Sequence, residues 1–521
     1  MENINNKIIK KQPEGAAGND ASARQFDHGR ANDGLKGAAA DMNDGPAAPG
    51  SRAKKKCQTK NHKQSMRTFN KGFVYFICIV SAMGGLLFGY DWVVIGGAKP
   101  FYEVYFNIAD NPQMQGLAMS IALVGCLTGA MTAGSLADRF GRKKLLIASS
   151  VMFLLSAYGT GYFSHFSYFL AARFLSGVGI GMASGLSPMY IAEVAPAHIR
   201  GKLVSLNQLT IVIGILAAQI TNWLIAEPVV HNTIDTWNCQ TGWRWMFWAG
   251  AFPALAFLIL VFFIPESPRW LAMKGDGSAA KEILARIGGK GYADEELAAI
   301  SAAAQADKES YGLRTLFRRP LVKIVIIGIV VAVFQQWSGT NVIFNYAQEI
   351  FQSAGYSLSD VLFNIVVTGV TNVIFTIVAI LTVERLGRRK LMLIGSCGLA
   401  IIYLVLGTCY YLEIKGVLMV ALVVMAIACY AMTLGPVTWV LIAELFPSRV
   451  RAVAVGTCTF ALWTGSTTLT YSFPLLNSSL GSYGTFWIYA AICAAGFVYF
   501  TRVLPETKGK SLEEIEKELT K

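Results

Sequence analysis

Charge is what this sequence has least of. Only 15% of its 521 residues are Asp, Glu, Lys or Arg and 54% are hydrophobic, whereas a soluble domain carries about 25% charged residues. That scarcity excludes a chain solvated on every side. Metal-ligand and disulfide patterns are also lacking: the five histidines are dispersed, the nine cysteines lie mostly inside apolar stretches, and only Cys239 falls in an expected outer loop. There is no phosphate-cradling P-loop, no nucleophile elbow and no paired-carboxylate active site, so neither an enzyme nor a nucleotide-driven pump is expected, and no cofactor. "GVGIGM" lacks the spacing and the preceding strand of a dinucleotide fingerprint. The first apolar run has no convincing cleavage site and is expected to stay as a span.

What the sequence has instead is apolar length. Twelve runs are expected to cross a bilayer, at 73–98, 113–137, 145–164, 167–193, 203–227, 243–264, 321–351, 359–383, 391–412, 416–443, 452–477 and 484–504; about 18–20 residues suffice for a span. Lipid cannot satisfy an open backbone, so each must be helical. The expected fold class is an all-α membrane protein. Arg and Lys crowd the loops after even-numbered steps, as in "DRFGRKK" (138–144) and "ERLGRRK" (384–390), while the opposite loops are nearly bare apart from Lys99 and Lys415. This bias predicts both termini in the cytoplasm. The net charge of +13 then reflects an anionic lipid surface as partner, not nucleic acid.

Residues 1–70 read as a disordered cytoplasmic tail whose basic end (51–71) either binds lipid headgroups or serves only as an orientation signal. Residues 71–264 form a first six-helix half, 265–320 a cytoplasmic helical linker, 321–504 a second half and 505–521 a cytoplasmic tail. The halves repeat. "AEVAPAHIR" (192–200) returns as "AELFPSRVR" (443–451), "DRFGRKK" as "ERLGRRK", and "PESPRWL" (265–271) as "PETKGKSL" (505–512). Three ordered matches at a near-constant offset indicate duplication into parallel repeats, with a substrate site expected at mid-membrane between them.

Within the seventh run, "QQWSGTNVIFNYA" (335–347) concentrates amides. A side-chain amide donates and accepts, as a sugar hydroxyl does. Gln335, Gln336 and Asn341 converge on such a ligand if the helix is distorted at Ser338-Gly339-Thr340; the alternative is that they tie helices together. Asp91 in the first run and Arg173 in the fourth are the clearest ionisable groups away from helix ends. Counting residues at ~1.5 Å of rise each puts both ~10 Å deep, which allows a pair that either couples a proton to movement or is static. At the cytoplasmic ends, Asp138, Arg142, Glu193, Arg200 and Arg269 are mirrored by Glu384, Arg388, Glu444, Arg451 and Glu506 or its neighbours; pairs among them are expected to lock the outward-facing state from below or merely to set topology. Gly177, Gly181 and Gly185, with Gly125 and Gly129, are spaced for close helix packing.

From "GGLLFGYD", "DRFGRKK", "PMYIAEVAPAHIRGKL", "PESPRWL", "QQWSGTN", "ERLGRR", "GPVTWVLIAELFP" and "PETKGKSLEE", in order over about residues 72–512, the chain resembles the sugar porters of the major facilitator superfamily. The nearest likeness is to bacterial xylose/proton symporters and facilitative glucose transporters. The resemblance implies two pseudo-symmetric six-helix halves, a monosaccharide substrate and a proton as co-substrate. It implies sugar contacts at Phe88, Gln208, Gln335, Gln336, Asn341, Asn372, Trp439 and, more weakly, Trp463, and proton coupling through Asp91 and Arg173. Trp439 is otherwise equally readable as a gate. In two places the chain departs from the family pattern: Asn345 stands where many relatives have tyrosine, and Leu462 where they have Gln or Asn. A pocket so altered keeps its sugar chemistry and shifts its selectivity.

Overall fold

The computed structural model describes residues 69–228, 233–306, 316, 321–353, 355–446, 450–508 of the chain. Of the expected tail over 1–70, residues 1–68 with nearly all of its basic end lie outside the described residues, as do most of the linker's last part and the final 509–521. Every regular element described is helical. In the first half these are α1 (Lys71–Tyr105), α2 (Pro112–Phe140), α3 (Arg142–Tyr162), α4 (Phe166–Val194) and α5 (Arg200–Ile225). A sixth span follows, built from a π-turn (Asn238–Gly242), α6 (Trp243–Ala249) and α7 (Ala251–Val261). Two helices outside the spans come next, α8 (Pro268–Met273) and α9 (Gly277–Ala306). The second half holds α10 (Leu321–Trp337), α11 (Thr340–Asn345), α12 (Ala347–Ser353), α13 (Leu358–Leu386), α14 (Arg388–Tyr411), α15 (Val417–Met432), α16 (Leu434–Leu445) and α17 (Arg451–Val503).

The helices start and stop where local chemistry dictates. Asn111 caps α2 by accepting from Met114 N–H at 3.1 Å, with Pro112 at the first helical position. Ser357 caps α13 in the same way through Asp360 N–H. Both patterns satisfy amides that have no partner in the first turn. Gly289 and Gly481, at φ 83° and 67°, bend α9 and α17 in a backbone region that favours glycine. The bend at Gly481 separates spans eleven and twelve, so the twelve expected crossings are all present.

Several expectations need correction. Span six begins at Asn238, not 243, because a π-turn extends it; Cys239 is therefore buried in a helix end, not placed in a loop. α1 continues through Pro100 to Tyr105, so Lys99 is no loop charge: it is buried, 2% exposed, between carboxylates. The seventh run is three helices, not one.

Spans 2 and 4 pack with their backbones nearly touching. A Cβ at Gly177 would collide with the Ala122 carbonyl, one at Gly181 with that of Cys126, and ones at Gly125 and Gly129 with those of Phe174 and Val178. Gly185, expected to belong to this seam, faces open space instead. The halves meet where α1 borders α11 and α12, α2 borders α17, and α5 borders α13.

Candidate functional site

The site begins at the break in span seven. Gly339 adopts φ 84°, ψ −8°, the left-handed region, and α10 ends while α11 starts anew. Ser338 Oγ turns back to the Gln335 carbonyl at 2.9 Å, and Thr340 Oγ1 lies 3.1 Å from the Tyr403 hydroxyl. Irregular backbone at this depth is tolerated because protein surrounds it. The break brings the amides together in a chain: Asn341 donates to Gln336 Oε1, Gln336 donates to Gln335 Oε1 at 2.5 Å, and Gln335 donates to the Tyr430 hydroxyl at 2.7 Å. All three amide side chains are buried. Two further buried polar atoms, Asn345 Oδ1 and Trp463 Nε1, have no hydrogen-bond partner, which is costly unless something polar visits them.

Aromatic rings bridge the halves. Phe88, Trp92 and Trp463 form a triangle with ring centroids 5.7–5.9 Å apart, joining α1 to α17. Trp92 was not singled out by the sequence, and neither was Tyr430; a lone aromatic in an apolar run carries no distinguishing signal. Gln208 is half-buried on α5, and Asn372 is buried on α13. Trp439 stands one-third exposed on α16, outside the triangle. Leu462 is buried beside Trp463 in the chain.

Beneath Trp92, α1 turns Asp91 toward α4. Arg173 Nη1 lies 2.9 Å from Asp91 Oδ1 and 3.0 Å from Oδ2, Arg173 Nη2 donates to the Asp91 carbonyl at 3.4 Å, and Ser176 Oγ donates to Oδ2. The guanidinium is 2% exposed and also lies 5.5 Å from the Phe247 ring centroid. Buried charges of this kind persist only when paired and hydrogen-bonded.

At the helix ends that carry the repeated motifs, the repeat becomes geometry. Arg142 contacts Glu193 at 3.1 Å and Arg388 contacts Glu444 at 2.8 Å. Each pair lies within its own half, the first between α3 and α4 and the second between α14 and α16. Asp138 adds a 3.3 Å contact to Arg142. Glu266 accepts from the Arg142 and Lys143 N–H groups at 2.9 and 3.1 Å, and Glu506 from those of Arg388 and Arg389 at 2.9 and 3.2 Å. Each carboxylate thus sits on a helix N-terminus, where the macrodipole favours it. Glu266, not Arg269, is the counterpart of Glu506. Arg269 is exposed, and the repeat "PES"/"PET" already aligned the two glutamates. Arg200 Nε reaches the Ala195 carbonyl at 3.4 Å. The side chains of Glu384 and Arg451 lie outside the described residues.

A profile of the family described as "Sugar (and other) transporter" matches residues 77–519. The chain belongs to the sugar transporter family. It is 39% identical over 452 residues to the arabinose-proton symporter of Bacillus subtilis, covering 87% of this chain and 96% of that one. It is 35% identical over 478 residues to the D-xylose-proton symporter of Escherichia coli strain K12, covering 86% and 96%. The partially occluded, inward-open structure of the xylose transporter XylE from E. coli superimposes with a TM-score of 0.75 at 33% identity, over 85% of this chain and all of that one. This family member is therefore a multi-pass membrane transporter of the major facilitator fold, and not an enzyme.

Proposed function

We propose that this sugar transporter imports a monosaccharide, a pentose such as xylose or else a hexose, by proton symport across the cell's plasma or inner membrane, with both termini cytoplasmic. The observation that carries the proton is the Asp91–Arg173 pair. A carboxylate in bidentate contact with a permanently charged partner has two stable forms: ionised and held by Arg173 and Ser176, or protonated and released from them. Because Asp91 is on α1 and Arg173 on α4, the proton changes how those helices are tied together. Trp92 follows Asp91 directly and touches Trp463 of the other half, so the tie communicates with the seam around the amides.

Gln335, Gln336, Asn341, Asn345 and Asn372 offer the sugar neutral donors and acceptors, with Gln208 from the facing half. Phe88 and Trp463 offer flat apolar faces for the sugar ring, while Trp439 borders the route below. Sugar and proton together favour the rocking of the two halves around the site. The Arg142–Glu193 and Arg388–Glu444 clusters, braced by Glu266 and Glu506, hold the cytoplasmic ends of each half as units that separate when that side opens. The pentose symporters among the relatives support this choice of substrate class. The test is uptake of labelled pentoses, hexoses and polyols into vesicles with and without an imposed proton gradient. Uphill accumulation that collapses with an uncoupler supports symport; equilibration indifferent to the gradient makes the chain a uniporter with a static Asp91–Arg173 pair.

A further inference from the structure

Lys99 is a buried ammonium with two carboxylates and one position in the fold that matters: the seam between the halves, at the end of α1 remote from the cytoplasmic loops. Its Nζ lies 2.8 Å from Glu103 Oε1, one turn along the same helix, and pairs with Glu349 of α12 in the other half. The Tyr346 ring centroid is 5.5 Å away, and the Tyr346 hydroxyl donates to the Thr470 carbonyl at 2.7 Å. Backbone closes in behind: a Cβ on Gly96 would come within 3.0 Å of the Phe344 carbonyl. Other charged or titratable groups near the cluster are Tyr102 on α1, Arg173 on α4 within electrostatic reach of Tyr102, Tyr489 on α17 near Tyr346, and Asp110 across the adjoining cavity. That cavity, about 220 Å³, is lined by Ala109, Asp110 and Gln115 from one half and Glu349, Asn477 and Ser478 from the other.

We propose that Lys99, Glu103 and Glu349 form an outer latch that holds the halves together when the protein faces inward, and that closing the latch takes up one proton from outside. The division of labour follows from the chain. Glu103 is tethered to Lys99 on one helix and accompanies it in every state, so Lys99 always has a counter-charge when the halves part. Glu349 belongs to the other half and can only leave with it, passing from a buried ion pair into water. On closure, two carboxylates converge on one ammonium in a poorly solvated place, and these three groups sum to one negative charge. Converging carboxylates cannot both ionise freely, and a proton on either of them restores neutrality. Closure is therefore favoured by acid on the outer face and opposed by alkali. This latch is separate from Asp91: it acts at the outer seam, and its proton returns to the outside when the seam reopens.

The experiment reads conformation in the absence of sugar, so its outcome does not depend on which sugar is carried. Spin labels at Ala109→Cys and Asn477→Cys, on the two walls of the cavity, report the width of the outer cleft in the full-length protein by pulsed electron resonance. The Asp91→Asn background removes the coupling carboxylate from the pH response. Lys99→Glu is expected to raise the population with a wide cleft ~10-fold or more, as loss of one partner of a buried pair implies. Lys99→Glu combined with Glu349→Lys restores the narrow cleft, because one ammonium again lies between two carboxylates. Acidifying the outside narrows the cleft in the otherwise unaltered triad, and Glu103→Gln abolishes that response while leaving the cleft narrow. A swap that stays as wide as Lys99→Glu, or a Lys99→Glu variant with an unchanged distance distribution, overturns the latch; a pH response that survives in Glu103→Gln overturns the proton.

Discussion

Arg173 grips both oxygens of Asp91 at once, at 2.9 and 3.0 Å, from a different helix. Such a contact is made by an ionised carboxylate and weakened by a protonated one. The Asp91→Asn variant keeps the shape of the protonated side chain and has no proton to give up. Gradient-driven accumulation should vanish, while sugar binding and exchange of labelled for unlabelled sugar persist. Intact uphill uptake would sink the assignment of Asp91 as the coupling group.

The amide chain from Asn341 through Gln336 and Gln335 to Tyr430 predicts a graded loss. Gln336→Ala removes the middle link and leaves two neighbours short of a partner, at about 1–3 kcal/mol. Asn341→Ala removes an end and should cost about 0.5–1.5 kcal/mol. Titration of sugar binding on purified protein should therefore show the larger drop in affinity for Gln336→Ala, with the fold of both variants retained by circular dichroism. Unchanged affinity in both places the sugar elsewhere.

Leu462 is buried next to Trp463, where an amide would offer a sugar hydroxyl a partner. A hydroxyl facing leucine loses a hydrogen bond at a penalty of about 1–3 kcal/mol. The wild type should accordingly prefer a pentose or deoxy sugar over the matching hexose, and Leu462→Gln should narrow that gap. Competition against a labelled sugar measures both orders; identical orders in the two proteins mean that the position does not face the sugar.

Glu266 and Glu506 each satisfy the first amides of a helix beside a glycine with positive φ, Gly141 at 96° and Gly387 at 86°. Glu266→Ala leaves the Arg142 and Lys143 amides without this acceptor and should lower stability by about 1–3 kcal/mol, seen as a reduced melting temperature in detergent. The Arg269→Ala change, at an exposed side chain, should fall within about 0.5 kcal/mol of wild type. Equal effects of the two would refute the pairing of Glu266 with Glu506.

The sequence disclosed the spans, the duplication, the amide cluster and most of the helix-end charge pairs because each rests on a signal local in the chain: apolar length, repeated words, polar residues beside a glycine. It disclosed less wherever a role arises only from the meeting of distant segments. Lys99 read as a stray loop charge, since nothing near it announced that Glu349, 250 residues away, would meet it. Trp92 was one aromatic among many until Trp463 was placed against it. Glu266 was passed over in favour of a more conspicuous arginine, although its alignment with Glu506 was visible. The break in span seven was legible as a weakness at Ser338-Gly339, and its division into three helices was not.

The glycine seam between spans 2 and 4 leaves no side-chain cushion between two backbones, and interfaces without a cushion do not slide. Those two spans should therefore travel as a single plank. Span 2 also borders span 11 of the other half, so the plank's far edge is the moving joint. Damage to the seam would then appear as slowed turnover at unaltered sugar affinity: a fault of the hinge pin, felt by every passenger equally.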